Sequence, residues 1–117
     1  MNIFVGVKRC STCQRMEKAL KEKGLAYEYR EMDAANPSKE ELAEWHRRSG
    51  LPLARFFNTS GMKYRELGLS EKRGQMSEDE QLELLASDGM LVKRPILLAE
   101  DGTVQVGRMV EAWIKER

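Results

Sequence analysis

Ile3-Phe4-Val5-Gly6-Val7-Lys8-Arg9-Cys10-Ser11-Thr12-Cys13 is the stretch on which the reading of this chain turns. An apolar run is followed at once by a polar loop and then by a helical pattern. Cys10 and Cys13, the only two cysteines, therefore form a Cys-x-x-Cys pair at a strand-to-helix junction. At a helix N-terminus the unpaired amide N–H groups and the positive end of the macrodipole face the first sulfur. Both favour thiolate over thiol, and the thiolate is the nucleophile. The second sulfur lies one turn further on, close enough to attack a mixed disulfide and close a ring. Ser11 and Thr12 make the loop polar, which argues against a pair of inert buried thiols. Lys8 and Arg9 are cationic neighbours of the kind that lower a thiol pKa, although plain solvation is the commoner fate of two loop cations.

Working outward, residues 2–7 read as a buried strand and residues 11–23 as a helix with Met16, Ala19 and Leu20 on one face, ended by Gly24. Residues 26–32 alternate and carry aromatics, as a second strand does. Strand–helix–strand implies a parallel pair joined by a right-handed crossover. Ser38 with Glu41, and Ser77 with Glu80, are two capping boxes. The first opens a helix to about Ser49, closed by Gly50; the second opens one through Leu82, Leu84, Leu85 and Ala86. Between them, residues 51–57 make a helical turn or two. Asn58-Thr59-Ser60-Gly61 is a turn cluster, and residues 64–69 continue with Gly68 as a breaker. Residues 37–88 are thus a mainly helical insertion. Beyond Gly89, residues 96–99 read as a strand, Asp101-Gly102 as a hairpin turn, residues 103–106 as the return strand, and Val110, Trp113 and Ile114 mark a closing helix. The expected fold is α/β: βαβ, a helical insertion, then ββα. That is a thioredoxin-like arrangement with a four-stranded mixed sheet, within a single domain spanning 1–117.

The chain has 117 residues, enough for one core, and 41% of them are hydrophobic. Its 20 basic and 19 acidic residues leave a net charge of +1, which gives no case for direct nucleic-acid or membrane binding. The N-terminal apolar run ends at Lys8, too short for a leader, and no stretch approaches the roughly 18 apolar residues of a membrane span. A cytoplasmic protein is expected, and there a lone cysteine pair is redox-active or metal-binding rather than a staple. A closed zinc site needs four ligands. Two cysteines and one histidine fall short, and His46 reads as a solvent-exposed residue of a charged helix, so neither metal nor cofactor is expected.

Arg94 precedes Pro95 at the start of a strand, at a junction that faces the cysteine loop in the expected fold. Proline there is a candidate for the cis form. Arg94 is placed to present its guanidinium to a thiolate or a bound oxyanion. Asn58, Thr59, Ser60 and Gly61 offer donors to a substrate, with a polar loop tip as the plainer reading. Trp45 and Trp113 read as core or edge aromatics rather than binding platforms.

Taken together, Cys10-Ser11-Thr12-Cys13, Phe57-Asn58-Thr59-Ser60-Gly61, Tyr64-Arg65-Glu66-Leu67-Gly68, Lys93-Arg94-Pro95-Ile96 and Val104-Gln105-Val106-Gly107 resemble the arsenate-reductase-like family that includes the redox regulator Spx. The resemblance runs over essentially the whole chain. It implies Cys10 as nucleophile and Arg94-Pro95 as an anion contact beside a cis proline. The glutaredoxin-linked arsenate reductases of the family use one cysteine and three arginines around the oxyanion. Cys10 and Arg94 match; the other two arginine positions fall on Asn58 and Gly107. The loss of two charge-assisted partners, each worth about 1.5–3 kcal/mol, counts against efficient arsenate reduction. The Cys-x-x-Cys is that of the Spx-type members. For Spx, the resemblance implies binding to the C-terminal domain of the RNA polymerase α subunit through a surface to which Gly50 corresponds. This chain ends at Arg117, where Spx continues, which counts against the transcription role.

The function expected first is therefore thiol–disulfide oxidoreduction. Cys10 is the nucleophile, Cys13 resolves, Arg94 stabilises the thiolate, and Lys8, Ser11, Thr12 and Asn58 are substrate-binding candidates. A thiol or disulfide is the substrate, and a glutaredoxin or thioredoxin system the reductant. The alternative is a redox-sensing regulator that binds RNA polymerase α, and arsenate reduction ranks last.

Overall fold

Strands Asn2–Gly6 (β1), Tyr27–Glu31 (β2), Ile96–Leu98 (β3) and Val104–Val106 (β4) form one sheet in the order β2-β1-β3-β4 in the computed structural model, which describes residues 1–117. β1 runs parallel to β2 and antiparallel to β3, and β3 is antiparallel to β4, so the sheet is mixed. Helices α1 (Ser11–Glu22), α2 (Lys39–Ser49), α3 (Met62–Glu66), α4 (Leu69–Lys72), α5 (Glu78–Ser87) and α6 (Arg108–Lys115) complete the chain. This is the thioredoxin-like α/β fold. The chain divides into two compact units. Met1–Ala35 and Arg94–Arg117 form the first, with the whole sheet, α1 and α6; Asn36–Lys93 form the second.

In the first unit the strand period selects the core. Phe4 of β1 lies opposite Tyr29 of β2 and Leu97 of β3. Phe4 and Leu97 pack with Cys13, Met16 and Leu20 of α1 and with Val110, Trp113 and Ile114 of α6. Large apolar side chains of this kind stabilise by about 1.5–3 kcal/mol each when fully buried. α1 stops because Gly24 adopts φ +68°, which closes a Schellman motif: Gly24 N–H bonds Lys21 O at 3.0 Å and Leu25 N–H bonds Leu20 O at 3.1 Å. β2 is half exposed, as the edge strand of the sheet.

In the second unit both capping boxes close as read, Ser38 with Glu41 and Ser77 with Glu80. α2 packs on α5, and Lys39 bridges to Asp79 at 2.6 Å and Glu83 at 3.2 Å. Phe57 forms an isolated bridge with Val92 and stacks edge-on to Tyr64, with ring centroids 5.9 Å apart. Two details go beyond the sequence reading and a third departs from it. The segment after Gly68 is helical, α4 followed by a 3₁₀ turn over Arg73–Gln75, and a further 3₁₀ turn occupies Gly89–Leu91. Pieces of three or four residues are too short to show a period. His46 is half-buried rather than solvent-exposed, edge-on to Phe56 with centroids 5.9 Å apart.

Candidate active site

Where β1 ends, the chain turns so that Cys10 N–H bonds Val7 O at 3.0 Å, and Gln14 N–H then bonds Cys10 O at 3.0 Å as the first bond of α1. The Gln14 side chain reaches back to Lys8 O at 2.6 Å and pins the loop from the helix side. Cys10 is the N-cap residue, in the extended conformation φ −84°, ψ 122°. The Cys13 and Thr12 N–H groups point toward its sulfur without closing a full capping bond to the thiol.

The two thiols, both reduced, differ in environment. Partial burial pushes the Cys10 thiol up, but the Cys13 N–H, the Cys13 thiol, the Thr12 N–H and the Arg94 charge outweigh it, and Cys10 ends below the ordinary thiol value. Cys13 is only 1% exposed. Its burial, reinforced by the charge of a Cys10 thiolate, pushes it up to about 12 against the opposing pull of the Val7 N–H and Arg94. Cys10 is thus the more acidic and the more accessible of the two thiols, and Cys13 holds its proton more tightly.

Arg94 enters β3 through a cis peptide bond to Pro95 and acts on both cysteines through its charge. Pro95 O accepts from Gly107 N–H at 2.8 Å, so Gly107 sits beside this junction. Gly107 has φ +61° and ψ −126°, a region that side chains avoid. An arginine at this position would be strained.

The remaining candidates separate. Ser11 and Thr12 form the first turn of α1 next to Cys10, with Ser11 exposed and Thr12 partly so. Lys8 is committed elsewhere: its ammonium lies 3.3 Å from both Glu17 carboxylate oxygens and 3.7 Å from the centroid of the Tyr29 ring. Arg94, not Lys8, is the cation acting on the Cys10 thiol. Asn58 belongs to the second unit, where its N–H bonds Leu91 O at 2.8 Å and its O accepts from Gly61 N–H at 3.0 Å, so it serves the turn. Lys8, Arg9, Glu31, Asp33 and Ala34 line an open groove of about 380 Å³ beside the loop that leads into Cys10. No three of the His, Cys, Asp and Glu side chains converge as metal ligands.

Three residues near the pair escaped the sequence reading. Glu17 accepts from Tyr27 Oη at 2.7 Å; burial would raise its carboxyl, but Tyr27 and Lys8 hold it below the ordinary value. The Tyr29 hydroxyl is buried with no hydrogen-bond partner. Gly6 explains how it comes so near the cysteines: a Cβ there would lie 3.0 Å from Tyr29 Oη and 3.1 Å from Cys13 Sγ. A lone glycine inside an apolar strand is the one sequence signal of such an approach.

A thioredoxin-like sheet with Cys10 as the N-cap of α1, Cys13 in its first turn and a cis Arg94-Pro95 bond entering β3 defines a thioredoxin-like class of fold. Within that class the chain belongs to the ArsC family, whose model matches residues 5–115. It is similar to the uncharacterized protein YusI of Bacillus subtilis (strain 168), at 56% identity over 93 residues, 80% of this chain and 79% of that one. Among solved structures, an ArsC family related protein from Bacteroides fragilis superimposes with a TM-score of 0.91 at 46% identity, covering 99% of this chain and 97% of that one. An arsenate reductase from Vibrio cholerae gives a TM-score of 0.84 at 25% identity, covering 97% of this chain and 95% of that one. No helix is long and apolar enough to cross a membrane.

Proposed function

We propose that the chain is a thiol–disulfide oxidoreductase of the ArsC family in which Cys10 and Cys13 are the redox pair. The reading is carried by the inequality of two adjacent thiols, one lowered and half-exposed, the other buried and raised to about 12. The Cys10 thiolate attacks a disulfide, forms a bond to one sulfur and expels the other as thiolate. Cys13 then loses its proton and attacks Cys10 Sγ; the intramolecular disulfide forms and the substrate's second sulfur leaves. Two thiols are oxidised and one disulfide is reduced, and an external thiol system of the glutaredoxin or thioredoxin kind resets the pair. Arg94 stabilises the Cys10 thiolate, Pro95 shapes the wall beside it, and Ser11 and Thr12 present the first turn of α1 to the substrate. The groove walled by Lys8, Arg9, Glu31 and Asp33 carries both charges, which suits a polar peptide disulfide.

The test is disulfide-reducing turnover by wild type, Cys10→Ser and Cys13→Ser. Loss in the first variant, with trapped mixed disulfide in the second, is the expected result; equal turnover in wild type and Cys10→Ser refutes it. Two further assays separate the rival readings. Capture of the RNA polymerase α C-terminal domain by the oxidised protein alone would make the disulfide a regulatory switch. Cys10-dependent arsenate turnover would restore the reductase reading despite Asn58 and Gly107.

A further inference from the structure

The buried Tyr29 hydroxyl has no role in the scheme so far. A phenol held out of water without a partner costs free energy, about 1–3 kcal/mol for a neutral group, so such a group calls for an explanation. Its placement supplies one. Tyr29 stands on β2 across from Phe4, whose ring lies 5.4 Å away, and Lys8 sits over the outer face of the tyrosine ring. Phe4 and Lys8 therefore fix the ring, and the hydroxyl ends in the space left open over Gly6, the space that Cys13 Sγ also borders. Cys13 Sγ also meets the Cys10 thiol. The resolving sulfur thus neighbours both the sulfur it must attack and an unused O–H donor.

We propose that Tyr29 is the hydrogen-bond donor that stabilises the developing charge on Cys13 when it attacks the Cys10 mixed disulfide. This rests on the oxidoreductase reading above. In the resting protein Cys13 keeps its proton and the hydroxyl stays idle. As Cys13 S–H gives up its proton to solvent, the sulfur gains charge in a nearly dry site, and the phenol O–H turns to it. The Cys13–Cys10 bond then forms, the bond from Cys10 to the substrate sulfur breaks, and the departing thiolate takes a proton from solvent. Tyr29 keeps its own proton throughout. Burial and the charge of Cys13 both hold the phenol well above its ordinary range, so it remains a donor. Cys10 draws on the helix N-terminus and Arg94, so its own attack does not need Tyr29.

The experiment mixes reduced protein with one equivalent of 5,5′-dithiobis(2-nitrobenzoate) and follows thionitrobenzoate release, with the mass of the product as a check. Attack by Cys10 releases the first equivalent and resolution by Cys13 the second. Tyr29→Phe, which keeps the ring and removes only the oxygen, is expected to leave the first phase within twofold of wild type. It slows the second by about tenfold or more, the loss of one hydrogen bond to a charged group. Tyr27→Phe removes a neighbouring phenol from the same strand and is expected to leave the second phase unchanged. An unaltered second phase in Tyr29→Phe overturns the proposal. So does equal slowing in both variants, which would report a loosened strand. A wild type that releases a single equivalent and forms no intramolecular disulfide refutes the oxidoreductase reading itself, and this inference with it.

Discussion

Replacing Gly6 by alanine tests the geometry of the cysteine site without touching a sulfur. The backbone accepts alanine there, since Gly6 is not among the residues with positive φ. The obstacle is steric. The new Cβ would meet a Phe4 ring carbon at 2.9 Å, Tyr29 Oη at 3.0 Å and Cys13 Sγ at 3.1 Å. Ordinary van der Waals contact begins about half an ångström further out. Phe4 is fully buried and Cys13 nearly so, so neither can swing into solvent. Overpacking of this kind costs about 1–3 kcal/mol. Taking about 2 kcal/mol, and about 4 °C per kcal/mol for a chain of this size, Gly6→Ala should lower the melting temperature of the reduced protein by about 8 °C. Urea unfolding of Gly6→Ala, Tyr29→Phe and the double variant then forms a cycle. Removing the hydroxyl relieves one of the three contacts, so the double variant should recover part of the loss, with a coupling of about 0.5–1 kcal/mol. A melting temperature within 1–2 °C of wild type, or a cycle that closes without coupling, would show that Gly6 does not hold Tyr29 and Cys13 together and would undo the reasoning built on that approach.

The other expectations concern the two thiols. Cys10 alkylation in the reduced protein should reach half its maximal rate below the ordinary thiol value of 9.0. Arg94→Gln should move that midpoint upward, because a charge favouring the thiolate is removed; a midpoint at or above 9.0 in wild type contradicts the assigned causes. Cys13, raised to about 12 in the folded chain from 9.0, works in the opposite sense on stability. Between these two values the unfolded chain has lost the proton and the folded chain keeps it, so unfolding free energy falls as pH rises through the window. Tyr27, raised to about 12 from 10.0 by burial and Glu17, adds to the same fall at its upper end. Urea titrations across pH 9–11 should therefore show a shallower alkaline decline in Cys13→Ala than in wild type, and parallel declines would contradict the assignment.

Legibility in the sequence follows how local each cause is. Ser38 with Glu41 and Ser77 with Glu80 announce their helices because a capping box spans only four residues, and both boxes close. Cys10 and Cys13 were equally plain, since the strand, the loop and the helix start are contiguous. The four-strand sheet was readable from apolar runs and the Asp101-Gly102 turn, with strand ends displaced by a residue. What stayed hidden depends on distant partners. Lys8 looks like a cation beside Cys10 until Glu17, nine residues on, engages it. Tyr29 lies on a half-exposed edge strand whose polar residues give no hint that one hydroxyl is buried. Nothing in the local sequence ties it to Cys13, because the link is made by the pairing of two strands and by a side chain that Gly6 does not have.

That dependence on pairing gives the register a chemical consequence. Val5 lies across from Arg30 and Phe4 from Tyr29, and Met32 N–H closes the run on Gly6 O at 2.9 Å. Side chains alternate faces along a strand, so a slip of one residue between β1 and β2 would take Tyr29 away from Phe4 and bring Glu28 or Arg30 to that position. Either would put a charge near a sulfur that is almost fully buried. An arginine would favour the Cys13 thiolate and erase the difference between the two thiols; a glutamate would raise Cys13 further and oppose its attack. Only the observed register places a neutral hydroxyl there, as the role proposed for Tyr29 requires. Tyr27 and Tyr29 of β2 both pack against the core of Phe4, Cys13, Met16 and Leu20, which favours that register for reasons of burial. The difference between the two thiols is then a product of the same packing that holds the sheet, which is why it is to be sought in β2 as much as in the Cys-x-x-Cys itself.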